Sequence, residues 1–517
     1  MAEIEITDRP NWVSGTAATM TILATGLASS ITAADPVILS ANISSVRAGL
    51  DMTAGTASFV ASIATLTLAA AVLGAGSLGD KFGMKRMYTL GLLGTVVFGV
   101  LAAAAPNAPV LILCRAAEGV AFALLLGLSL AIVNVVFPPE KRAGAISLHL
   151  GAGFVAAVPM PAVGSLLAQH VGWRACFLVA PAVALIALAM VLRYVPETPR
   201  NARRLDVPGL LLIATALLAV VYGLSRLQTG LHAAAVVPIV VGVMAAAAFV
   251  VFELRTPDPA LDLRIFRSGP FNAAVFAGVA FNFLSGGSTI LCAFYLVTIR
   301  GESPTLLGLL MAPAALLSAV AAAAAGRAAA RLGERAALVG GLLLLLGALL
   351  VLTVLGEDSP MWILFAVVGL NAVGAAVTET IEATVMLRTA PVELSGAVTA
   401  VKSAVGQAAY SLGPAVFALL GTTLFVHSSR DRLAGAGVTG EEAREALRVA
   451  HGGAGSSAGT NVLDPERARE VVEGATAGML GAIHTMGWIL TAVPVAAIVA
   501  VLILMRGTTR SPEGAGP

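Results

Sequence analysis

Apolar positions along this chain gather into long, uninterrupted runs separated by short polar stretches. Fourteen runs, each about 20 residues or more, have the length a helix needs to cross the hydrocarbon core of a bilayer. They fall near 14–42, 55–78, 87–105, 109–136, 143–168, 175–192, 208–225, 233–252, 271–298, 305–326, 336–355, 360–387, 395–425 and 478–505. The pattern predicts an all-α polytopic membrane protein. An even number of spans puts both termini on one side of the bilayer.

Charge identifies that side. Nineteen of the 31 lysines and arginines lie in segments on the side of the termini, among them Lys81, Lys85, Arg86, Lys141, Arg142, Arg203 and Arg204. The short loops on the other side hold only Arg47, Arg174, Arg226 and Arg300. The positive-inside rule therefore places both termini in the cytoplasm. Composition agrees: 58% of residues are hydrophobic and 12% charged, where a soluble domain carries roughly 25% charged. The net charge of +2 is spread along one membrane face, so it gives no footprint for nucleic acid. The sequence offers no phosphate-cradling loop for a nucleotide, no metal-ligand spacing and no nucleophile triad, so an enzyme, an ATP-driven pump and a bound cofactor are not expected. The polar, acidic start lacks the pattern of a cleavable leader, and the first run is expected to stay as a span. Cys114, Cys176 and Cys292 read as small buried apolar residues.

An internal echo organises the chain further. The turn after the second run is Gly76-Ser-Leu-Gly-Asp80-Lys-Phe-Gly83-Met-Lys85-Arg86, and the turn after the tenth is Gly326-Arg-Ala-Ala-Ala-Arg-Leu-Gly333-Glu-Arg335. Both carry two glycines seven apart and a basic residue two further on. Parallel repeats of this kind build transporter folds from two related halves. The expected division is residues 1–194 and 269–517 as two six-helix bundles, with two additional helices in 195–268 between them.

The Gly-x-Leu-x-Asp-x-x-Gly-x-Lys-Arg turn at 76–86 resembles the loop 2–3 signature of the major facilitator superfamily, and the fourteen-span layout resembles its drug:proton antiporter-2 branch. The resemblance implies that Gly76, Asp80, Gly83, Lys85 and Arg86 form a latch that holds the two halves in an outward-facing state. Glycine allows a tight turn and close helix approach, and Asp80 can cap a helix start. Leu111-Ile-Leu-Cys-Arg115-Ala-Ala-Glu118-Gly119 resembles the span 4 signature, with Glu118 where the family has glutamine. The span 5 antiporter signature is altered, reading Met160-Pro161-Ala-Val-Gly164-Ser165. Pro159 and Pro161 predict a kink there, and Gly151, Gly153 and Gly164 predict close helix contacts.

Six ionisable residues fall inside the runs: Asp35, Arg115, Glu118, Glu379, Glu382 and Lys402. A charge at the centre of a membrane helix costs about 2.5–3.5 kcal/mol on the insertion scale, so such groups pair, line a wet cavity or stay neutral. A carboxylate escapes that cost by taking a proton, which makes each acidic residue a candidate for proton coupling or for compensating substrate charge. Arg115 and Glu118 share a helix face at i, i+3 and can pair. Glu379 and Glu382 have the same spacing and can share a proton, or one can bridge to Lys402. Asp35 sits beside Pro36 in a pattern resembling the family's span 1 aspartate. His149 reads as packing. Asn282, Phe283, Gln407 and Tyr410 are candidates to line a cavity.

The segment 427–477 reads as a water-exposed connector with two short outer helices, one beginning at a capping box over 439–442 and one at Asp464-Pro465. By resemblance, the protein exports amphipathic, cationic drugs, dyes or antibiotics against protons, from a bacterial cytoplasmic membrane. A carrier for an endogenous lipid, metabolite or siderophore, and a sensor or scaffold that moves no cargo, are the alternatives.

Overall fold

Every predicted apolar run is helical in the computed structural model, which describes residues 12–52, 54–198, 206–227, 232–256, 263–300, 302, 304–391, 394–435 and 465–506. Helices α1 (Gly15–Gly49), α2 (Ala54–Phe82), α3 (Met84–Ala103), α4 (Ala108–Val136), α5 (Pro139–Ala157), α6 (Pro159–His170) and α7 (Val179–Tyr194) come first. A hairpin of α8 (Val207–Leu227) and α9 (Ala233–Glu253) follows. The second group is α10 (Gly269–Phe294), α11 (Pro304–Leu332), α12 (Glu334–Leu352), α13 (Met361–Thr389), α14 (Ser395–Gly435), α15 (Pro465–Leu490) and α16 (Ala492–Leu504). No strand occurs among the described residues. Eleven segments among them are long and apolar enough to cross a membrane. Helices α8, α10 and α14 lie where the other three spans are expected.

The echoed turns have one geometry. Gly83 and Gly333 both take positive φ, +98° and +87°, between two helices. Each donates its N–H back to the preceding helix, to Gly79 and Ala329, and accepts from the next, from Met87 and Ala337. That left-handed conformation is what restricts the position to glycine. Asp80 lies in the last turn of α2 rather than capping α3, whose N-cap is Gly83 itself.

The fifth run breaks where its prolines fall. Helix α5 ends at Ala157 and α6 starts at Pro159, since a proline ring supplies no N–H and clashes with the preceding turn. The three glycines of this run make the expected close contacts, Gly151 against α11 and Gly153 and Gly164 against α1. The connector differs from expectation. Helix α14 runs on to Gly435, and α15 runs from Pro465 to Leu490, so the second outer helix is continuous with the last span. Hydropathy misses such extensions because a helix leaving the membrane keeps its hydrogen bonds while its residues turn polar. The capping box at 439–442 lies outside the described residues.

Helices within each group meet through small residues, since lipid supplies no hydrophobic drive between them and close backbone approach supplies dispersion contact instead. Gly119 of α4 lies on the Ala64 carbonyl and the Thr67 hydroxyl of α2, with no space for a methyl group. Gly119→Ala is therefore expected to destabilise the first group by about 1–3 kcal/mol, read as a lower apparent melting temperature. An unchanged melting temperature would contradict this packing.

The two groups join along two seams. Helix α2 meets α14 on one side, where α8 of the central hairpin contacts both of them. Helix α5 meets α11 on the other, with Gly151 against the Ala319 carbonyl and Gly326 against Ser147. Where α4 ends and α14 begins, Asn134 Nδ2 of α4 donates to Ser395 Oγ of α14 at 2.7 Å, and both residues are buried.

Candidate functional site

Four of the six ionisable residues found in the apolar runs are buried, Glu379 and Lys402 are half-buried, and all six assemble into two clusters. In the first group, Arg115 of α4 donates through Nη1 to Asp35 Oδ1 of α1 at 3.0 Å and through Nη2 to Asp35 Oδ2. The same Nη1 reaches Glu118 Oε2 at 2.8 Å, one turn away on its own helix. The i, i+3 pairing expected for Arg115 and Glu118 is present, and Asp35 completes it as a third member. A planar guanidinium suits this role because its fork matches a carboxylate edge-on while leaving a donor for a second partner. Arg115 has no solvent exposure and lies 6.0 Å from the centre of the Phe177 ring. Glu118 abuts Gly99 of α3, where a methyl group would sit 3.0 Å from its Oε1. The cluster is packed on every side.

In the second group, Lys402 of α14 donates to Glu379 Oε1 of α13 at 3.3 Å and pairs with Glu382 Oε2 at 3.7 Å. One ammonium thus stands between the two carboxylates. Glu382 is buried against Gly278 of α10, which a side chain would displace. Glu379 and Lys402 instead face a central cavity of about 430 Å³.

That cavity lies between the two groups. The first contributes Thr32, Pro36, Thr65, Leu126 and Phe154 from α1, α2, α4 and α5, and the second contributes Asn282, Ser318, Asn371, Glu379, Lys402 and Tyr410 from α10, α11, α13 and α14. Gln407 also lines it, as expected. Phe283 does not: its ring stacks edge-on against Phe417 at 5.5 Å, in the joint between α10 and α14. The cavity takes Phe281 and Asn282 from this helix, and Phe283, a further 100° around it, is turned toward α14 instead. His149 is buried in the first group and hydrogen-bonds through Nδ1 with Thr25 Oγ1 at 2.9 Å, which makes it a polar packing residue. The three cysteines are buried and free.

The turn residues are held within the first group. Lys85 Nζ and Arg86 Nε lie 3.7 and 3.9 Å from the two carboxylate oxygens of Glu197, and the Lys85 N–H donates to Thr198 Oγ1 at 3.3 Å. Asp80 is buried beside them at the end of α2. The second group has a counterpart: Arg388 of α13 pairs with Glu334, the first residue of α12, at 2.7 Å. Sequence reasoning missed Glu197, Asn134 and Ser395. All three are polar residues at helix ends, where an ordinary solvated turn gives the same signal.

Two helix groups around a shared cavity, with ion clusters set inside long apolar helices, define a multi-pass membrane transporter. The Major Facilitator Superfamily model matches residues 16–414, and the chain belongs to that family. It is 30% identical over 426 residues to the multidrug efflux pump LfrA of Mycolicibacterium smegmatis, covering 79% of this chain and 82% of that protein. It is also 30% identical over 362 residues to a methylenomycin A resistance protein of Streptomyces coelicolor, covering 69% and 76% respectively. The human organic anion transporter MFSD10 superposes with a TM-score of 0.59 at 16% identity over 94% of this chain and 98% of its own, a likeness of fold alone.

Proposed function

We propose that this protein is a proton-coupled exporter of amphipathic, cationic small molecules, working by alternating access between two six-helix bundles. The observation that carries this reading is the charge balance of the clusters. Each sets two carboxylates against one cation, and the second opens onto the cavity through Glu379 and Lys402. When all members are ionised, each cluster holds one uncompensated negative charge in a low-dielectric setting, which is costly. A proton removes that charge, and so does a cationic cargo beside Glu379. Competition between the two for one site is what exchange requires. The names of the similar proteins, an efflux pump and a resistance protein, support export as the direction.

In this reading residues 1–194 and 269–517 are the two bundles, 195–268 is the inserted hairpin, and both termini face the cytoplasm. The structure is then a state closed on the cytoplasmic side, with Asn134 and Ser395 bridging the bundles there and the turn at Gly76–Arg86 bracing α2 and α3 behind that contact. The kink at Pro159 and Pro161 lets the two halves of the fifth span tilt separately. The test is flux of a fluorescent lipophilic cation from proteoliposomes holding the full chain, with and without an imposed pH gradient. Accumulation against the probe's own gradient, abolished by a protonophore, is expected. Its absence in folded parent protein would reject cationic-drug antiport.

A further inference from the structure

The two sides of the central cavity differ in what they offer a bound molecule. The first group gives it Pro36, Leu126 and Phe154, a largely hydrocarbon wall. The second gives it hydrogen-bonding side chains, and these fall into two kinds. Asn282, Ser288 and Ser318 donate back to carbonyls of their own helix, at Gly278, Ser285 and Ala314. Asn371 of α13 and Ser403, Gln407 and Tyr410 of α14 line the cavity without a hydrogen-bond partner among the described residues. Of the first group's polar lining residues, Thr65 alone is in that condition, since Thr32 donates to the Ser29 carbonyl.

Helical spacing turns these groups into a strip. Ser403, Gln407 and Tyr410 stand at i, i+4 and i+7 on one face of α14, and Asn371 is joined to Glu379 through Ala375 at steps of four along α13. Glu379 and Lys402 are in contact, and successive spans run in opposite directions, so both rows leave the ion pair toward the same side of the membrane. Along the helix axes, Asn371 lies about 12 Å and Gln407 about 7.5 Å from that pair. The cavity thus presents a charge and then a strip of unpartnered amides and hydroxyls, with an apolar wall across the gap. Ser403 is only 7% exposed, so a molecule lying over it must itself supply the hydrogen bond.

We propose that the preferred cargo carries its positive charge on a unit rich in hydroxyl or amide groups, of which an amino sugar is the type, attached to a flat apolar body. The amine sits beside Glu379, the polar unit lies along α13 and α14, and the body rests on Leu126 and Phe154. A molecule filling the cavity displaces the solvent that otherwise serves Asn371 and Gln407, and each amide left without a partner weakens binding about tenfold. A plain lipophilic cation satisfies the charge and strands the strip. A site built of hydrogen-bonding groups rejects an analogue lacking their partners more sharply than a hydrocarbon pocket discriminates by size. This class of cargo rests on the export reading above for the use of the cavity.

The test is equilibrium binding to the full-length protein in nanodiscs, followed by fluorescence anisotropy, with protein-free nanodiscs as the blank for partition into lipid. Two acridine dyes of equal charge are compared, one tethered to glucosamine and the other to cyclohexylamine, each through the ring so that the amine stays free. The glucosamine dye is expected to bind about 100-fold more tightly, one tenfold step for each amide. Asn371→Leu combined with Gln407→Leu should erase that preference by moving the two affinities in opposite directions, weaker for the glucosamine dye and tighter for the cyclohexylamine dye, a pattern that misfolding cannot produce. Gln407→Leu alone should remove one tenfold step. Phe154→Ala, on the apolar wall, should weaken both dyes alike. Equal affinity of the parent for the two dyes, binding of neither, or an unchanged preference in the Gln407→Leu variant would overturn the proposal. Flux of the same dyes under a pH gradient separates it from the export reading: a parent that binds with the stated preference and moves neither dye fails as an exporter and keeps the assignment of the site.

Discussion

Arg115→Met is expected to be among the most damaging single substitutions in this protein, lowering stability by about 3–5 kcal/mol because it strands two carboxylates in a buried site. Asp35 and Glu118 both depend on that guanidinium, and neither pairs with a second cation among the described residues. The readout is apparent melting temperature and yield of monodisperse protein in detergent. A triple variant, Arg115→Met with Asp35→Asn and Glu118→Gln, removes the charges as well as the cation. It should recover most of the lost stability, because a neutral buried set costs far less than a broken one. If the single variant were as stable as the parent, the cluster would not be the compact ionic unit its geometry describes. If the triple variant folded well and still transported, the first cluster would be excluded from coupling.

The second large effect is expected at the cavity. In the proposed mechanism Glu379 and Glu382 are the groups for which proton and cation compete, so replacing both with glutamine should lower gradient-driven accumulation of a lipophilic cation roughly 100-fold, at the upper end of usual coupling free energies. Because Lys402 would be left without a counter-charge, the comparison includes Lys402→Met in the same background to restore neutrality. Downhill equilibration of the probe should persist in that triple variant, since its substitutions remove the charges of Glu379 and Lys402 from the cavity wall while keeping side chains of similar size. Undiminished uphill transport in either variant would remove this cluster from the mechanism. The separate variants assign the roles, because Glu379 faces the cavity and Glu382 is enclosed against Gly278. Glu379→Gln should weaken cargo binding more than Glu382→Gln does.

Much of the architecture is legible in the sequence, and the reason is the solvent. A bilayer demands that a spanning segment be helical and apolar over a fixed length, so runs such as 109–136 and 233–252 declare themselves without tertiary information. The same strictness exposes Asp35, Arg115 and Lys402, since a charge in such a run is conspicuous. What cannot be read locally is who stands beside whom. Arg115 and Glu118 are paired by helical spacing, but Asp35 is 80 residues away from Arg115, and only the packing of α1 against α4 brings it in. Lys402 is likewise shared between Glu379 and Glu382, although sequence offers a proton-sharing pair and a structural bridge as separate readings. The face presented by Phe283 depends on helix rotation, which an all-round apolar segment does not encode. The polar contacts Asn134–Ser395 and Lys85–Glu197 sit at helix ends, where composition alone cannot distinguish a partner from water.

The balance of two carboxylates to one ammonium beside the cavity has a consequence for bioenergetics. If one proton replaces one monovalent cation at that surplus charge, each cycle moves no net charge across the bilayer. Transport would then respond to the pH difference and be indifferent to voltage. A neutral cargo exchanged for a proton would instead be electrogenic, gaining about 2.3 kcal/mol per 100 mV, and a dication would be penalised by as much. One binding site would thus serve cargoes of different charge while drawing on different components of the proton-motive force.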